Sequence, residues 1–301
     1  MKILVVGSMN MDLVVKVDEI PKIGETLTGS EFLQIPGGKG ANQGVAMAKL
    51  NSDVSFLGKL GKDSFGESLV RSMESSGVNM DNVDYTQDST GIAVINVDKS
   101  GNNNIVVIPG ANGTVDKEYL QKNEKAFEEA DIVVFQLEIP LETVKEGLRI
   151  SKKFGKTTIL NPAPAEQLDD EIIENIDILI PNEHELERIS KVKISDKDSI
   201  LKAGNLLIEK GIKKIIVTLG SEGVLYLDPE NHEFFKPYKV NVVDTTAAGD
   251  SFIGGFVSSY IETKDIKKSI DMGQRTAALT IQKFGAQSSL PTRKEVDGFK
   301  G

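Results

Sequence analysis

The chain has no cysteine and no tryptophan, and only two of its 301 residues are histidines, His184 and His232. Without cysteine, disulfide bonds, thiolate nucleophiles and thiolate-bound metals are excluded. Two histidines are also too few for a His-rich metal centre. Any chemistry must therefore rely on carboxylates, lysines, amides and backbone groups.

Long apolar runs are also missing, and none approaches the ~20 residues that span a bilayer. The segment Met1–Gly7 is typical of a buried first strand and not of a secretory signal. The chain has 35 basic and 45 acidic residues, a formal net charge of −10. This balance argues against nucleic acid or an anionic membrane as a partner, but it permits a phosphorylated substrate. We expect a cytoplasmic protein built as one α/β domain with a small appendage.

From Asp131 onward, apolar strand-like runs alternate with amphipathic helical stretches. The predicted strands are Asp131–Phe135, Lys156–Leu160, Ile176–Ile180 and Lys214–Leu219, with a hairpin from Val224–Leu227 and Glu233–Lys236. The predicted helices are Leu141–Phe154, Asp196–Lys210, Ala247–Tyr260 and Ile266–Lys283. This alternation predicts a largely parallel sheet, which binds ligands at the carboxyl ends of its strands.

The first third of the chain breaks this rhythm. Short strand-like segments without crossover helices occur at Leu13–Asp18, Glu25–Thr28, Thr90–Val97 and Asn104–Ile108. Several alternate apolar and polar residues, as expected of a sheet with one exposed face. We interpret them as a small separate sheet that acts as a lid; ordinary edge hairpins are the alternative.

The segment from Asp244 to Phe256 is the most informative stretch. Ala247, Ala248 and Gly249 place small side chains at the start of an apolar, helix-compatible run. A helix N-terminus of this kind binds anions through its unpaired amides. Asp250 adds a carboxylate beside that anion, and phosphoryl transfer to an alcohol requires this combination. An ordinary helix start with an acid in its first turn is the alternative.

Two further segments could contact a ligand. Gly37–Asn42 is a glycine-rich turn that permits close backbone approach to a ligand and leads into a predicted helix, Gln43–Leu50; it lacks the P-loop pattern. Asn10 and Asp12 lie two apart after the first strand, so in an extended segment they face the same way and can bind hydroxyls. A tight turn and an Asx-type turn remain the alternatives.

Three later segments suit contacts with a ligand. Glu138 follows the strand that ends at Phe135 and is well placed for a ligand there; an acid that merely leads into a helix is the alternative. Asn182 and Glu185 share a helix face, from which they could orient phosphate and a hydrated Mg²⁺, or form an N-terminal capping box. The turn Thr218–Gly223 suits backbone contacts with a nucleotide, although a β-turn explains it equally well.

Taken together and in order, the segments GSMNMD, GGKGAN, QLE, LNPAPA, PNEHE, TLGSEG, DTTAAGD and GAQSS resemble the ribokinase/PfkB family of sugar kinases. The resemblance extends from Met1 to about Phe299. It implies a single kinase domain over residues 1–301, with a Rossmann-like three-layer α/β/α fold. It also implies a β-sheet lid from residues of about 13–36 and 90–110, which forms a homodimer. The implied activity is the ATP-dependent phosphorylation of D-ribose at O5.

The resemblance assigns roles residue by residue. Asp250 would be the catalytic base beside an anion hole formed by Ala247, Ala248 and Gly249. Ribose would be held by Asn10, Met11, Asp12, Gly38, Lys39, Gly40, Ala41, Asn42, Glu138 and Asp250. ATP would be held by Asn182, Thr218, Leu219, Gly220, Ser221, Glu222, Gly223, Gly249 and Gln274. Glu185 matches a position linked indirectly to Mg²⁺. A K⁺ site, mostly of backbone carbonyls, would comprise Asp244, Thr246, Thr280, Lys283, Gly285 and Ser289.

Other functions remain open from the sequence alone. A related kinase could act on deoxyribose, another sugar or a nucleoside, with Asn10, Asp12 and Lys39 recognising a different ligand. A catalytically silent sugar-binding regulator could use the same scaffold, but the presence of Asp250 disfavours it because a sensor needs no base. Affinities, the strength of K⁺ activation and dimer stability do not follow from the sequence.

Overall fold

A computed structural model describes all of residues 1–301. The strands are β1 (Lys2–Val6), β2 (Asn10–Lys16), β3 (Glu31–Gly37), β4 (Asp53–Leu57), β5 (Lys59–Gly61), β6 (Val78–Asn79), β7 (Asp84–Thr86), β8 (Gly91–Val97), β9 (Asn103–Ile108), β10 (Ile132–Phe135), β11 (Thr157–Leu160), β12 (Ile178–Leu179), β13 (Lys214–Thr218), β14 (Val224–Leu227) and β15 (His232–Phe235). The helices are α1 (Lys39–Lys49), α2 (Ser64–Ser75), α3 (Lys117–Lys122), α4 (Glu124–Glu129), α5 (Leu141–Lys153), α6 (Asp170–Glu174), α7 (Glu183–Ser190), α8 (Lys197–Glu209), α9 (Ala248–Thr263), α10 (Ile266–Thr280) and α11 (Arg293–Gly298).

Nine strands form the central sheet, in the order β15-β14-β13-β12-β11-β10-β1-β4-β6. From β13 to β6 every neighbouring pair is parallel, whereas β14 and β15 are antiparallel. The predicted parallel sheet and its terminal hairpin are therefore confirmed.

Helices cover both faces of this sheet, which gives the predicted three-layer α/β/α fold. Alternate residues of β1 separate the two faces, because side chains along a strand point in opposite directions. Ile3 and Val5 pack in a core with α1, α2, α9 and α10. Leu4 and Val6 pack in a second core with α3 to α8. Burial on both faces explains why the central strands are almost continuously apolar.

The predicted small sheet also forms, as four strands in the order β3-β2-β8-β9. One of its predicted strands, Glu25–Thr28, is wrong. The ladder of β2 pairs Lys16 with Glu31 and Asn10 with Gly37. Residues 25–28 therefore lie in the connection that precedes β3 and have no strand partner.

Helix α1 begins at Lys39, four residues before the predicted Gln43. Gly38 occupies the N-terminal cap with a φ of +90°, a conformation that favours glycine. Its missing side chain matters as well, because a Cβ at Gly38 would lie 2.7 Å from the backbone nitrogen of Asn10. The glycine-rich turn thus brings α1 directly against the start of β2.

None of the eleven helices combines the length and the apolar character that crossing a bilayer requires.

Candidate active site

The polar residues gather where the parallel strands end, as expected for an open α/β sheet. A cavity of about 240 Å³ lies there, and its lining includes Lys39, Asn161, Glu185 and Asp250. A larger cleft of about 790 Å³ adjoins it. The residues that line both are Asn182, Thr218, Thr245, Ala248 and Gly249. The site therefore has a small polar chamber that opens into a larger groove.

The N-terminus of α9 lies at the junction of these two spaces. Ala247 precedes the helix with a left-handed φ of +59°. The amide of Ala248 donates to the carbonyl of Thr245 at 3.1 Å, whereas the N–H groups of Ala247, Gly249 and Asp250 donate to no protein atom. Ala248 therefore contributes a small side chain but no free amide to the predicted anion hole. The remaining amides and the helix dipole favour an anion here.

Asp250 lies in the first turn of α9 and is 8% exposed. Its Oδ2 accepts a hydrogen bond from Nδ2 of Asn42 at 3.0 Å. Its Oδ1 accepts one from Nε2 of Gln43, also at 3.0 Å. Two consecutive residues of α1 thus hold the two oxygens of this carboxylate.

Two further predicted sugar-binding residues are held from neighbouring elements. Glu138 Oε2 accepts hydrogen bonds from the backbone N–H of Lys39 at 3.0 Å and from Oγ of Ser8 at 2.5 Å. Oδ1 of Asn10 accepts from Nδ2 of Asn112 at 2.7 Å. Both side chains are therefore oriented before any ligand binds.

Charged side chains are concentrated around Lys39 and Asp250. Burial raises the pKa of Asp12 to about 7, with further contributions from the negative charges of Glu138 and Asp250, while Lys39 opposes the shift. Burial disfavours the charge on Lys39, but Asp250, Glu138, Glu185 and Asp12 outweigh it and raise the pKa of the ammonium group. Four carboxylates and one lysine thus share a poorly solvated region, as is typical of functional sites.

Of the predicted sugar-binding residues, only Lys39 and Asp250 line the chamber itself. Four others offer no polar side chain: Met11, Gly38, Gly40 and Ala41. Met11 and Ala41 are buried in the hydrophobic core. Gly40 packs against Ser8, where a Cβ would lie 2.7 Å from the backbone nitrogen. A contribution from these residues would have to come from the backbone or from the close packing they allow.

Asn182 and Glu185 form the predicted capping box at the start of α7. Asn182 Oδ1 accepts from the Glu185 amide at 2.8 Å, and Glu185 accepts from the backbone N–H and Nδ2 of Asn182 at 2.9 and 2.8 Å. Burial raises the pKa of Glu185 despite these bonds and the nearby charge of Lys39. Because Glu185 also lines the chamber, the capping and ligand-binding interpretations are compatible.

The larger groove receives most of the predicted nucleotide-binding residues: Asn182, Thr218, Gly220, Ser221, Gly223, Gly249 and Gln274. Leu219 belongs to the hydrophobic core, and Glu222 is exposed outside the lining. Gln274 donates to the carbonyl of Lys236 at 3.0 Å. Phe252, Ala277 and Ile281 add apolar surface, which suits a flat aromatic base.

Comparison with known proteins identifies the family. Residues 1–293 match the pfkB family of carbohydrate kinases. The chain belongs to this family. It is 40% identical to the ribokinase of Haemophilus influenzae over 296 residues, which cover 98% of this chain and 97% of the relative. It is also 37% identical to the deoxyribokinase of Salmonella typhimurium over 301 residues, 99% and 98% of the two chains.

A solved structure of Arabidopsis thaliana ribokinase, complexed with ribose and ATP, superposes with a TM-score of 0.93. It is 32% identical in sequence, and the match covers 98% of this kinase and 96% of that chain. The fold predicted from the sequence and the assignment to the carbohydrate kinases are thus both confirmed.

The predicted K⁺ loop of the kinase lies beside the anion-binding turn. Asp244 Oδ1 accepts from the amide of Thr246 at 2.9 Å and from its hydroxyl at 2.7 Å. Asp244 Oδ2 accepts from the amide of Gly285 at 3.0 Å. Asp244 therefore joins the start of α9 to the segment after α10, as a capping residue would.

The carbonyl groups in this loop differ in their partners. Thr280 accepts from the amide of Lys283 at 3.0 Å, and the Ser289 hydroxyl donates to the carbonyl of Ala286 at 2.7 Å. The carbonyls of Thr246, Lys283 and Gly285 accept no hydrogen bond. A carboxylate next to unpaired carbonyls fits a monovalent cation, which prefers oxygen ligands.

Sequence reasoning missed several polar residues that support the site: Ser8, Gln43, Asn112, Gln136 and Asn161. Ser8, Gln136 and Asn161 belong to the segments GSMNMD, QLE and LNPAPA, so their motifs were recognised but no role was assigned to them. Gln43 directly follows GGKGAN, and Asn112 lies in none of the recognised motifs. Their partners are about 90 to 210 positions away in the chain, which leaves no local sequence signal.

Proposed function

We propose that this kinase transfers the γ-phosphoryl group of ATP to O5 of D-ribose, giving D-ribose 5-phosphate and ADP. The observation that carries the proposal is the position of Asp250, a buried carboxylate at a helix N-terminus with free amides, between a polar chamber and a larger groove. The names of the relatives in Haemophilus and Arabidopsis support ribose and ATP as the substrates.

In this reaction the sugar lies beside Asp250, on the side of Asn42 and Asp12, and the nucleotide lies in the groove. The O5 hydroxyl donates its proton to Asp250 as the bond from O5 to the γ-phosphorus forms and the bond to the ADP oxygen breaks. The free amides of Gly249 and Asp250 stabilise the charge on the transferred group, which is the main catalytic contribution in phosphoryl transfer. Lys39 supplies a positive charge close to Asp250.

Sugar recognition uses the preoriented polar groups. Asn10, Asp12 and Glu138 offer donors and acceptors for ring hydroxyls, and Asn42 Oδ1 is a buried acceptor with no partner in the protein. A sugar hydroxyl would satisfy that oxygen. Discrimination based on such hydrogen bonds is strong, because a ligand without the hydroxyl leaves buried groups unpaired.

Glu185 is the residue that would hold hydrated Mg²⁺. Each of its oxygens accepts a single bond from Asn182, so further lone pairs remain for metal-bound water. When bound, the metal would neutralise charge on the nucleotide phosphates. Asp244 and the unpaired carbonyls of Thr246, Lys283 and Gly285 would similarly hold K⁺ and fix the turn that precedes α9.

The small sheet suits both a lid and a dimer contact. Strand β9 forms one edge of the sheet, and its apolar residues Ile105, Val106, Val107 and Ile108 are 39–61% exposed. An exposed apolar edge strand is a site for association with another chain. We propose a second copy of this kinase as the partner. A cytoplasmic location remains a prediction.

Deoxyribose is the second candidate substrate, because the chain is nearly as similar to a deoxyribokinase as to the ribokinases. ADP release should be measured with ATP and D-ribose, 2-deoxy-D-ribose, other pentoses, nucleosides or no sugar. The proposal expects the highest kcat/KM with D-ribose. A higher kcat/KM with deoxyribose or a nucleoside would mean that this compound, and not D-ribose, is the substrate. Sugar binding without ADP release would indicate a regulator.

A further inference from the structure

Gln43 makes three hydrogen bonds although it is completely buried. Its Nε2 donates to Oδ1 of Asp250 at 3.0 Å and to Oδ1 of Asn161 at 3.1 Å. Its Oε1 accepts from Nε2 of Gln136 at 2.7 Å. Asn161 in turn donates to the carbonyl of Ile180 at 3.0 Å. Both N–H groups and the oxygen of the Gln43 amide are therefore occupied.

This network fixes which way the Gln43 amide points. If the amide were flipped, its oxygen would face the carboxylate of Asp250 and the oxygen of Asn161, and its nitrogen would face the NH₂ group of Gln136. All three bonds would be lost inside a buried region, where each unpaired group costs about 1–3 kcal/mol. Gln136 and Asn161 follow β10 and β11, and Asn161 is itself held by Ile180, which follows β12. The carboxyl edge of the sheet therefore holds the amide rigidly.

The two oxygens of Asp250 consequently differ. Oδ1 faces Gln43, whose bonding capacity is filled by protein groups. Oδ2 faces Asn42, whose own Oδ1 is buried and has no partner. The side of the carboxylate that retains unsatisfied polar capacity is therefore the Asn42 side.

We propose that Gln43 is a positioning residue that reserves Oδ1 of Asp250 for the protein, so that Oδ2, beside Asn42, accepts the proton of the sugar hydroxyl. This inference rests on the proposed sugar kinase reaction. Proton transfer depends on a carboxylate held at hydrogen-bonding distance and angle from the hydroxyl. Without Gln43 the carboxylate of Asp250 can rotate, and the productive geometry is populated less often.

The test compares the wild-type kinase with Gln43→Met, which keeps the side-chain length but removes the amide. We expect kcat to fall about 10- to 100-fold, as misplacement of a reacting group typically costs, with KM for ATP and for ribose changed little. Wild-type kcat in a folded variant would overturn the proposal.

Two further variants separate positioning from stability. Thr158→Val removes a hydroxyl that bonds the Asn175 carbonyl at 2.7 Å and also bonds Asp177, near the start of β11 and thus at the opposite edge of the sheet. It should lower Tm but leave kcat unchanged. Gln136→Met keeps the bond from Gln43 to Asp250 but frees the Gln43 oxygen. If Gln43→Met does not fold, Gln136→Met should show a smaller fall of the same kind, and wild-type kinetics there would contradict the proposal.

A crystal structure of ligand-free Gln43→Met gives a readout that needs no activity. The proposal expects the Asp250 carboxylate to rotate or to occupy two orientations, and an unmoved carboxylate would contradict it. If the wild-type kinase phosphorylates no sugar, the proposed function fails, but this structure still decides whether Gln43 orients Asp250.

Discussion

Asn112 donates a hydrogen bond of 2.7 Å from Nδ2 to Oδ1 of Asn10, which precedes it by 102 residues. Oδ1 of Asn112 also accepts from the N–H of Met9 at 2.9 Å, and Nδ2 of Asn112 donates to the carbonyl of Met9 at 3.0 Å. Gly91 makes room for this pair, since a Cβ there would lie 2.2 Å from Asn112 Nδ2. The Asn10 oxygen therefore faces the protein and its NH₂ group is left for a ligand.

Asn112→Leu should weaken sugar binding, because it frees Asn10 to rotate and leaves its oxygen unpaired. We expect KM for ribose to rise about tenfold, in line with the ~1–3 kcal/mol cost of an unpaired buried group, with KM for ATP unchanged. Asn175→Leu makes the same substitution at the end of α6 and should leave both KM values unchanged. Equal increases for ribose and ATP would mean that Asn112 supports only the fold.

Asp12→Asn should stabilise the kinase at alkaline but not at acidic pH. The pKa of Asp12 is about 7 in the folded protein and 3.8 ordinarily. The folded state thus holds an extra proton between these values, and stability falls as pH rises from about 4 to 7. We expect Asn to raise Tm at pH 8, to change it little at pH 4, and to raise KM for ribose. Asp53→Asn, at an exposed site, should give no such pH dependence.

Replacing K⁺ with Na⁺ at constant ionic strength should lower both kcat and Tm. The carbonyls of Thr246, Lys283 and Gly285 would lose the cation that they bind, and the turn before α9 would loosen. Asp244→Ala should abolish the difference between the two salts. If wild-type kcat and Tm are the same in both salts, Asp244 serves only as a cap, through its bonds to Thr246 and Gly285.

Val106→Lys should disrupt the proposed dimer, since it places a charge on an apolar residue of edge strand β9 that is 61% exposed. The molar mass measured by light scattering should be about twice the chain mass of 32.7 kDa for the wild-type protein. For the variant it should equal the mass of one chain. Lys99→Ala, near the same sheet, serves as the control. A wild-type protein that stays monomeric at all concentrations would contradict the dimer.

The central fold could be predicted from the sequence because its strands are apolar on both faces and alternate with amphipathic helices. Asp131–Phe135 and Lys214–Leu219 both form parallel strands close to their predicted limits. The small sheet was less predictable. Glu25–Thr28 and Glu31–Gly37 are both short and mixed in polarity, and only pairing with β2 determines which of them becomes a strand.

Some residues of the candidate site could likewise be predicted from the sequence, and others could not. Asp250 and Asn182 could be identified because a helix start beside small residues, or after a strand, gives a local signal. Gln43 and Asn112 could not, because their roles arise from partners distant in the chain. Met11 and Leu219 lie in binding motifs, yet their side chains pack in the core, since a motif also includes the residues that hold its neighbours in place.

The most direct test of the account is to identify the product formed from ATP and D-ribose by the wild-type kinase and by Asp250→Asn. Asn keeps the size of Asp250 but cannot accept the proton, and loss of a general base typically costs ~10²–10⁴-fold in rate. NMR of the wild-type reaction should show D-ribose 5-phosphate and ADP in equal amounts, and the variant should form both that much more slowly while still binding ribose. A phosphate ester at another hydroxyl, no ester at all, or an undiminished rate in Asp250→Asn would contradict the account.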